Sequence, residues 1–234
     1  GLITEADIQQ VLARQFDYPY LQPGAGKYPQ ELVAAYQPFS SQVEILRAVR
    51  SQLMLRWFAR GSKSLVVLGM EPGDGASLFT ANLAVVFSQL GEHTLLVDAN
   101  LRNPRQHEIF DLKTRQGLSD VLAGRAELDI IAKVESFVAL SVLAAGTLPP
   151  NPQELLSRSS FVTLNKQLES RYDAVLYDVP AYTTGSDAIA VAARAGGVLL
   201  VARKNKTPMA DVAAMSEQMT QSGAQVVGSV MVDF

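Results

Sequence analysis

The segment from residue 65 to residue 90 constrains the fold of this 234-residue chain more than any other. It begins with a short apolar run at 65–68, passes through a glycine-rich loop, and continues into an apolar helix that we predict to begin at Ser77. In a strand–loop–helix unit of this kind, the loop amides and the first N–H groups of the helix point at one spot. The segment therefore predicts an anion site at the end of a buried strand.

The loop matches the phosphate-loop pattern G-x-x-x-x-G-K-[ST] only in part. Gly75 and Ser77 stand at their expected places, whereas Ala76 occupies the lysine position and the leading glycine, Gly69, comes one residue early. Taken alone, the segment is equally compatible with a tight structural turn. The candidate nucleotide-binding residues are those of the loop and the helix start: Gly73, Asp74, Gly75, Ala76, Ser77 and Leu78.

Apolar runs alternate with helical patterns through the rest of the chain. The predicted strands after the first lie at 94–98, 140–143, 174–177, 197–202 and 226–230, and a helix is predicted at 154–170. Short apolar strands separated by helices are typical of a parallel sheet covered on both faces. The fold class is therefore α/β, a parallel-sheet P-loop NTPase sandwich of α/β/α layers with an N-terminal helical arm.

Two segments are predicted from the spacing of prolines and apolar residues. Residues 1–40 are predicted to be an N-terminal arm and linker, with loosely helical spacing at 1–16 and an irregular stretch at 17–40. Residues 41–234 are predicted to form the P-loop domain, which begins with a helix from Ser40 or Ser41 to about Arg60. The arm carries four tyrosines that we expect to pack on the domain or on a neighbouring molecule: Tyr18, Tyr20, Tyr28 and Tyr36.

Composition excludes several classes of function. Hydrophobic residues make up 48% of the chain, which supports a full core, and the formal net charge of −3 disfavours a nucleic-acid partner. There is no cysteine and there are only two histidines, which excludes a disulfide framework and disfavours a metal cluster. No apolar run approaches the ~20 residues that span a bilayer. We expect a cytoplasmic location, and a chain that is part of a longer protein.

Two aspartates at predicted strand ends complete a candidate nucleotide site. Asp98 and Asp178 each follow a buried strand, and the carboxyl ends of parallel strands meet at one edge of the sheet. A nucleotide site needs amides for the phosphates, a hydroxyl for Mg²⁺ and a carboxylate for the metal or its waters. Ser77, Asp98 and Asp178 are therefore the candidate metal ligands, although each aspartate alone is also explained as a turn or cap residue.

Taken together, these motifs resemble the cytoplasmic domain of bacterial tyrosine kinases of the exopolysaccharide chain-length-determinant class, which are related to P-loop ATPases such as MinD. The loop at 72–77 is similar to Pro-Gly-x-Gly-Lys-Ser, the segment 95–102 to an apolar run followed by Asp-x-Asp-x-Arg, and 178–181 to the third motif. The resemblance covers residues 40–234. Glu71 stands where the MinD and ParA branch carries its signature lysine, which disfavours a partition-type ATPase switch.

The resemblance implies ATP or ADP and Mg²⁺ as cofactors, and Asp98, Asp178 and Arg102 as catalytic residues. The tracts at 103–107 and 148–152 are also similar to this class. The resemblance further implies a homo-oligomer and a transmembrane activator that recruits the chain to the inner face of the cell membrane. An oligomerisation motif, Glu-x-x-Arg-x-x-Arg, matches Glu44, Arg47 and Arg50. From their spacing alone, these three residues are equally a solvated helix face with an internal ion pair.

Departures from the family pattern bear on activity. Ala76 replaces the loop lysine and Asn100 replaces an aspartate of the second motif, so phosphotransfer is expected to be weak or lost. No tyrosine follows Tyr182, whereas the family ends in a tyrosine cluster that is phosphorylated. The sequence thus leaves open an active kinase-like domain regulating exopolysaccharide chain length and export, an inactive oligomeric scaffold or nucleotide sensor, and a partition-type ATPase.

Overall fold

A computed structural model describes residues 11, 20–21 and 27–233 of the chain. Its strands are β1 (Ser64–Gly69), β2 (Thr94–Asp98), β3 (Ala132–Lys133), β4 (Leu140–Leu143), β5 (Ala174–Asp178), β6 (Gly197–Arg203) and β7 (Gln225–Val232). Its helices are α1 (Val33–Tyr36), α2 (Ser41–Arg56), α3 (Ala76–Gln89), α4 (Gln106–Ile109), α5 (Leu118–Leu122), α6 (Pro152–Ser157), α7 (Ser159–Arg171), α8 (Asp187–Ala195) and α9 (Met209–Gln221). Within these residues, no helix has both the length and the apolar character needed to cross a bilayer.

The strands form one seven-stranded sheet in the order β3-β4-β2-β5-β1-β6-β7. All neighbouring pairs are parallel except β3 and β4, which confirms the predicted α/β fold. The antiparallel β3 was not predicted from the sequence. It is only two residues long and is joined to β4 by a short turn, in which Val134 N–H donates to the Leu140 carbonyl at 3.0 Å, so no crossover helix is needed.

Successive residues of each central strand enter two different cores. In β1, for example, Val66 and Leu68 pack on one face of the sheet, whereas Leu65 and Val67 pack on the other. The first face is covered by α5 to α9, and the second by α1 to α4. Both faces are buried, which explains why the strands are continuously apolar and do not alternate with polar residues.

The described part of the N-terminal arm packs on the second face of the sheet. Asn82 of α3 accepts a hydrogen bond from Ala34 N–H at 2.9 Å, and its amide donates to the Glu31 carbonyl at 3.1 Å. The Tyr28 ring lies edge-on to Phe110. This arm tyrosine therefore packs on the domain, as expected. Residues 1–10 and Tyr18, for which helical spacing and packing were predicted, lie outside the described residues.

Two predicted helices end differently from what the sequence pattern indicated. The helix that starts after Ser40, whose hydroxyl accepts from Val43 N–H at 3.3 Å, stops at Arg56, and a short 3₁₀ turn at Phe58–Arg60 replaces its last turn. The helix predicted at 154–170 is two helices, because Arg158 adopts an extended conformation (φ −67°, ψ 153°) between α6 and α7.

The junction between α2 and the sheet depends on a glycine. The Trp57 indole, just after α2, donates to the Ser64 carbonyl at 2.9 Å and lies against Gly197, where an added Cβ would be 2.3 Å from the ring. Gly197→Ala is expected to destabilise the protein by about 1–3 kcal/mol, because a well-packed ring must move. Urea unfolding followed by tryptophan fluorescence measures this.

Gly228→Ala in the neighbouring strand β7 is the control for this experiment. A Cβ there would meet only Leu199 Cδ1, at an ordinary distance of 3.9 Å. We expect a change below about 0.5 kcal/mol. Equal losses in the two variants would contradict the close packing at Trp57.

Candidate nucleotide site

The glycine loop between β1 and α3 has the backbone conformation of an anion cradle. Gly73 and Gly75 adopt left-handed conformations, with φ of 86° and 82°, which other residues adopt only with strain. Gly75 precedes the first residue of α3, Ala76, so the loop leads directly into the N-terminus of a 14-residue helix. The first N–H groups of that helix have no partner within the helix and are available to an anion.

Three polar side chains converge beside this cradle. The Ser77 hydroxyl donates to Asp178 Oδ1 at 3.1 Å, and the Gln106 amide donates to Asp178 Oδ2 at 2.7 Å. The same amide also donates to the Ser77 carbonyl at 3.0 Å. The structure therefore brings together Ser77 of α3, Asp178 at the end of β5 and Gln106 at the start of α4.

Asp98 lies next to Asp178 in the sheet register and is completely buried. Its Oδ2 accepts the backbone N–H groups of Arg105 and Gln106 at 3.0 and 2.9 Å, and its Oδ1 accepts that of Asn100 at 3.2 Å. Asp98 therefore holds the loop after β2 in place, and through Gln106 it is connected to Asp178. The hydrogen bonds of Asp98 form within the protein and do not depend on a bound metal.

The two buried carboxylates affect each other's protonation. Burial raises the pKa of Asp98 to about 8, and the nearby charge of Asp178 adds to this rise, although three backbone N–H groups oppose it. Burial also raises the pKa of Asp178, to about 6, against the lowering effect of hydrogen bonds from Gln106 and Ser77 and of the Arg105 charge. The site is therefore suited to receive a cation, because a cation would stabilise both charges.

Gln106 is a site residue that the sequence analysis did not identify. Its side chain is buried, and its Oε1 has no hydrogen-bond partner among the described residues. The NH₂ group of the same side chain donates to Asp178, so Oε1 belongs to the same cluster. The only sequence signal is its place in the 103–107 tract; in the structure it is the first residue of the short helix α4.

The oxygen donors fit Mg²⁺ better than a softer metal. The hydroxyl of Ser77, the carboxylate of Asp178 and the unpaired Oε1 of Gln106 are all hard ligands, which Mg²⁺ prefers. Among the residues described, no three His, Cys, Asp or Glu side chains are grouped so as to hold a metal. A metal bound here would therefore take further ligands from phosphate and water, as Mg²⁺ does in nucleotide sites.

The second-motif residues Asn100 and Arg102 have structural partners in the protein. The Asn100 side chain accepts from Asn103 N–H at 3.0 Å and so stabilises the loop. Arg102 makes two hydrogen bonds, at 2.7 and 2.9 Å, with the buried carboxylate of Asp187, the first residue of α8. This carboxylate raises the pKa of Arg102. Asp187 was not identified from the sequence, and the catalytic role of Arg102 stays a prediction.

The predicted oligomerisation residues lie on α2. Glu44 and Arg47 form an ion pair one turn apart, as the spacing predicted. Arg50 donates instead to the Val86 carbonyl of α3 at 2.7 Å and so joins two helices of the same chain. Arg50 thus contributes to packing within the chain, whereas Glu44 is exposed and available to a neighbouring molecule.

A cavity of about 760 Å³ opens beside the glycine loop. Gly73, Gly75 and Leu78 line it at the loop, and α2 and the end of β7 form its other walls. Its lining is mainly apolar, which suits a flat aromatic base. Three of the six predicted nucleotide-binding residues therefore border one cavity with a phosphate cradle at its edge.

Comparison with known proteins gives consistent matches. The family model described as "Cellulose biosynthesis protein BcsQ" matches residues 62–219. The putative tyrosine-protein kinase CapB of Staphylococcus aureus is 33% identical over 195 residues, which cover 83% of this chain and 86% of CapB. The tyrosine-protein kinase Wzc of Salmonella typhimurium is 34% identical over 209 residues, which cover 89% of this chain but only 29% of Wzc.

A solved structure agrees with these matches. The kinase domain of the Escherichia coli tyrosine kinase ETK superposes with a TM-score of 0.84 at 30% identity. The match covers 93% of this chain and 85% of the ETK domain.

The raised pKa values predict how stability depends on pH. A carboxyl group with a raised pKa in the folded state stabilises the fold below about pH 4, where it is protonated, and this contribution is lost as the pH rises through the folded value. For Asp178 the loss extends to about pH 6 and for Asp98 to about pH 8. We expect Asp178→Asn to raise the free energy of unfolding by about 1–3 kcal/mol at pH 8 without divalent metal.

Asparagine can keep the hydrogen bonds of Asp178, since its oxygen can accept from Gln106 and its NH₂ group can donate to Ser77. Chemical denaturation of both proteins at several pH values between 4 and 8, in the presence of a chelator, measures the two stability curves. Parallel stability curves for the two proteins would contradict the assignment of a buried charge to Asp178.

Proposed function

The chain belongs to the family of P-loop proteins that includes BcsQ and the bacterial tyrosine-protein kinases, and we propose that it is a kinase-like domain that binds ATP or ADP with Mg²⁺. The observation that carries this proposal is the convergence of the glycine cradle with Ser77, Gln106 and Asp178 at one sheet edge. In this proposal the loop amides hold the phosphates, Ser77 and Asp178 hold the metal or its waters, and the adjacent cavity receives the nucleoside.

We propose that phosphotransfer in this domain is weak or lost. A loop lysine would stabilise the charge that develops on the transferred phosphoryl group, and Ala76 provides none. Asn100 provides no carboxylate, and its side chain is already engaged in the loop. In the active form of this proposal, Asp98, Asp178 and Arg102 are the catalytic residues.

The domain is proposed to regulate exopolysaccharide chain length and export together with a transmembrane activator. The resemblance to the chain-length-determinant class supports this role. The chain spans less than a third of Wzc, so other polypeptide accompanies the matching domain in that relative. We infer that a transmembrane activator recruits the domain, residues 41–234, to the inner face of the membrane, with residues 1–40 as an arm.

A second candidate function is a non-catalytic oligomeric scaffold or nucleotide sensor. The alanine in the cradle favours it, because nucleotide binding without transfer needs no loop lysine. The Glu44–Arg47 pair on α2, in which Glu44 is exposed, supports an interface between copies of the chain. The two candidates share the nucleotide site and differ in whether phosphate leaves the nucleotide.

Restoring the loop lysine tests how much the missing positive charge contributes to nucleotide binding. The chain is expected to bind Mg-ADP weakly, and Ala76→Lys is expected to strengthen binding about tenfold or more, because a cation then faces the phosphates. Ala76→Met is the matched control, since it has a similar length and no charge. Isothermal titration calorimetry with Mg-ADP measures the affinities.

Transfer of labelled phosphate from ATP to the protein, with the activator present, then decides between the candidates. Incorporation by the natural sequence would support an active kinase, and incorporation by Ala76→Lys alone would support a scaffold that has lost transfer. Tight ADP binding that Ala76→Lys does not alter would contradict the importance of the missing lysine.

The oligomer interface has its own test. Arg47→Ala is expected to lower the molecular mass that sedimentation measures for the assembled protein, because it removes a charge of the predicted interface and leaves the exposed Glu44 without its ion-pair partner. Arg56→Ala, in the last turn of the same helix, is the control and is expected to leave the mass unchanged. Arg50 is unsuitable alone, since its contact with the Val86 carbonyl also stabilises the chain itself. An unchanged mass for Arg47→Ala would contradict the interface and indicate that this face of α2 is exposed to solvent.

A further inference from the structure

The phosphate cradle is surrounded by acidic side chains. Glu71 and Asp74 belong to the loop, and Asp98 and Asp178 lie at the neighbouring strand ends. Of the two acidic loop residues, Asp74 is the buried one, and its Oδ2 accepts a hydrogen bond from Glu71 N–H at 2.9 Å. Phosphates bring further negative charge, and the position that normally carries a cation is Ala76. A nucleotide therefore requires a positive charge from another part of the chain.

Lys206 brings such a charge to the loop. Its ammonium lies 2.9 Å from Asp74 Oδ1, although the two residues are 132 positions apart. The lysine side chain is 47% exposed, whereas the aspartate side chain is 0% exposed. The ion pair therefore joins a buried carboxylate of the glycine loop to an ammonium that remains partly exposed to solvent.

The turn that carries Lys206 is well defined. It follows β6, where Arg203 N–H donates to the Thr207 hydroxyl at 2.9 Å and Thr207 N–H donates back to the Arg203 carbonyl at 2.9 Å. Asn205 has a left-handed conformation with φ 59°, which keeps the turn tight. The Arg203 guanidinium also donates to the Gly73 carbonyl at 3.3 Å. The turn therefore contacts the glycine loop at two points.

We propose that Lys206 supplies the positive charge that position 76 lacks, by cancelling the buried charge of Asp74 so that the loop amides can attract phosphate. This inference rests on the proposed function, because it assigns a role in the same nucleotide site. Without the ammonium, the uncompensated carboxylate of Asp74 would lie within the loop that holds the phosphates and would repel them. Removing one partner of a buried ion pair also leaves the other charge uncompensated, which destabilises the folded protein.

Three variants test this role through the ratio of ADP affinity to AMP affinity, since only ADP carries the phosphate that a cradle of this kind holds most closely. Lys206→Met is expected to lower the ratio by about tenfold or more, because Asp74 is then unopposed. Asp74→Asn is expected to keep or raise the ratio, since it removes the repelling charge. The double variant is expected to return close to the natural value. Lys204→Met removes a lysine from the same turn, one paired with Asp233 instead, and is expected to leave the ratio unchanged.

These outcomes separate an electrostatic role from a mechanical one. If the ion pair only fixed the turn to the loop, all three variants would lose affinity alike, because each of them breaks the pair. Equal losses in Lys206→Met and Asp74→Asn, or no loss in Lys206→Met, would overturn the inference while the nucleotide site stands. Failure of the unaltered protein to bind ADP would overturn the proposed function and this inference together. Thermal unfolding of each variant, followed by circular dichroism, checks that all of them fold.

Discussion

The burial of two carboxylates side by side at the ends of β2 and β5 is the constraint on which the candidate site depends. Charged groups are buried only when hydrogen bonds or ions compensate them, and here Gln106 provides much of that compensation. Its backbone N–H binds Asp98 and its side chain binds Asp178. The side-chain amide also donates to the Ser77 carbonyl, so α3, α4 and two strands are held together by one buried residue. The position of the Ser77 hydroxyl next to Asp178 follows from this arrangement.

Two cations in the loops that follow β2 and β6 are held by carboxylates distant from them in sequence. Arg102 is held by Asp187 at the start of α8, and Lys206 is held by Asp74 in the glycine loop. Each pair joins a partly exposed cation to a buried carboxylate. The contacts tie the loop after β2 to α8 and the turn after β6 to the cradle. The Lys206–Asp74 ion pair therefore fixes the turn after β6 to a glycine loop that has no lysine of its own.

Much of this architecture could be predicted from the sequence, because it follows from local patterns. Continuous apolar runs gave the parallel strands, and strand ends that meet at one edge placed Asp98 and Asp178 together. What escaped prediction depends on contacts between distant residues. Gln106 has no pattern of its own, and nothing near Lys206 points to Asp74. The break at Arg158 and the short β3 are set by packing and turn geometry, which hydrophobic spacing does not encode.

The side chain of Asn82 connects the cavity to the chain segment that precedes α2. Asn82 lines the cavity beside the glycine loop and, through the hydrogen bonds to Ala34 and Glu31, also holds the chain that precedes α2. Glu31 and Val33 line the same cavity. A molecule bound there is therefore in contact with a wall that is docked on α3 by these hydrogen bonds. Thermodynamic linkage then requires reciprocity: whatever free energy occupancy adds to the docking of this wall, docking adds to the affinity for the occupant.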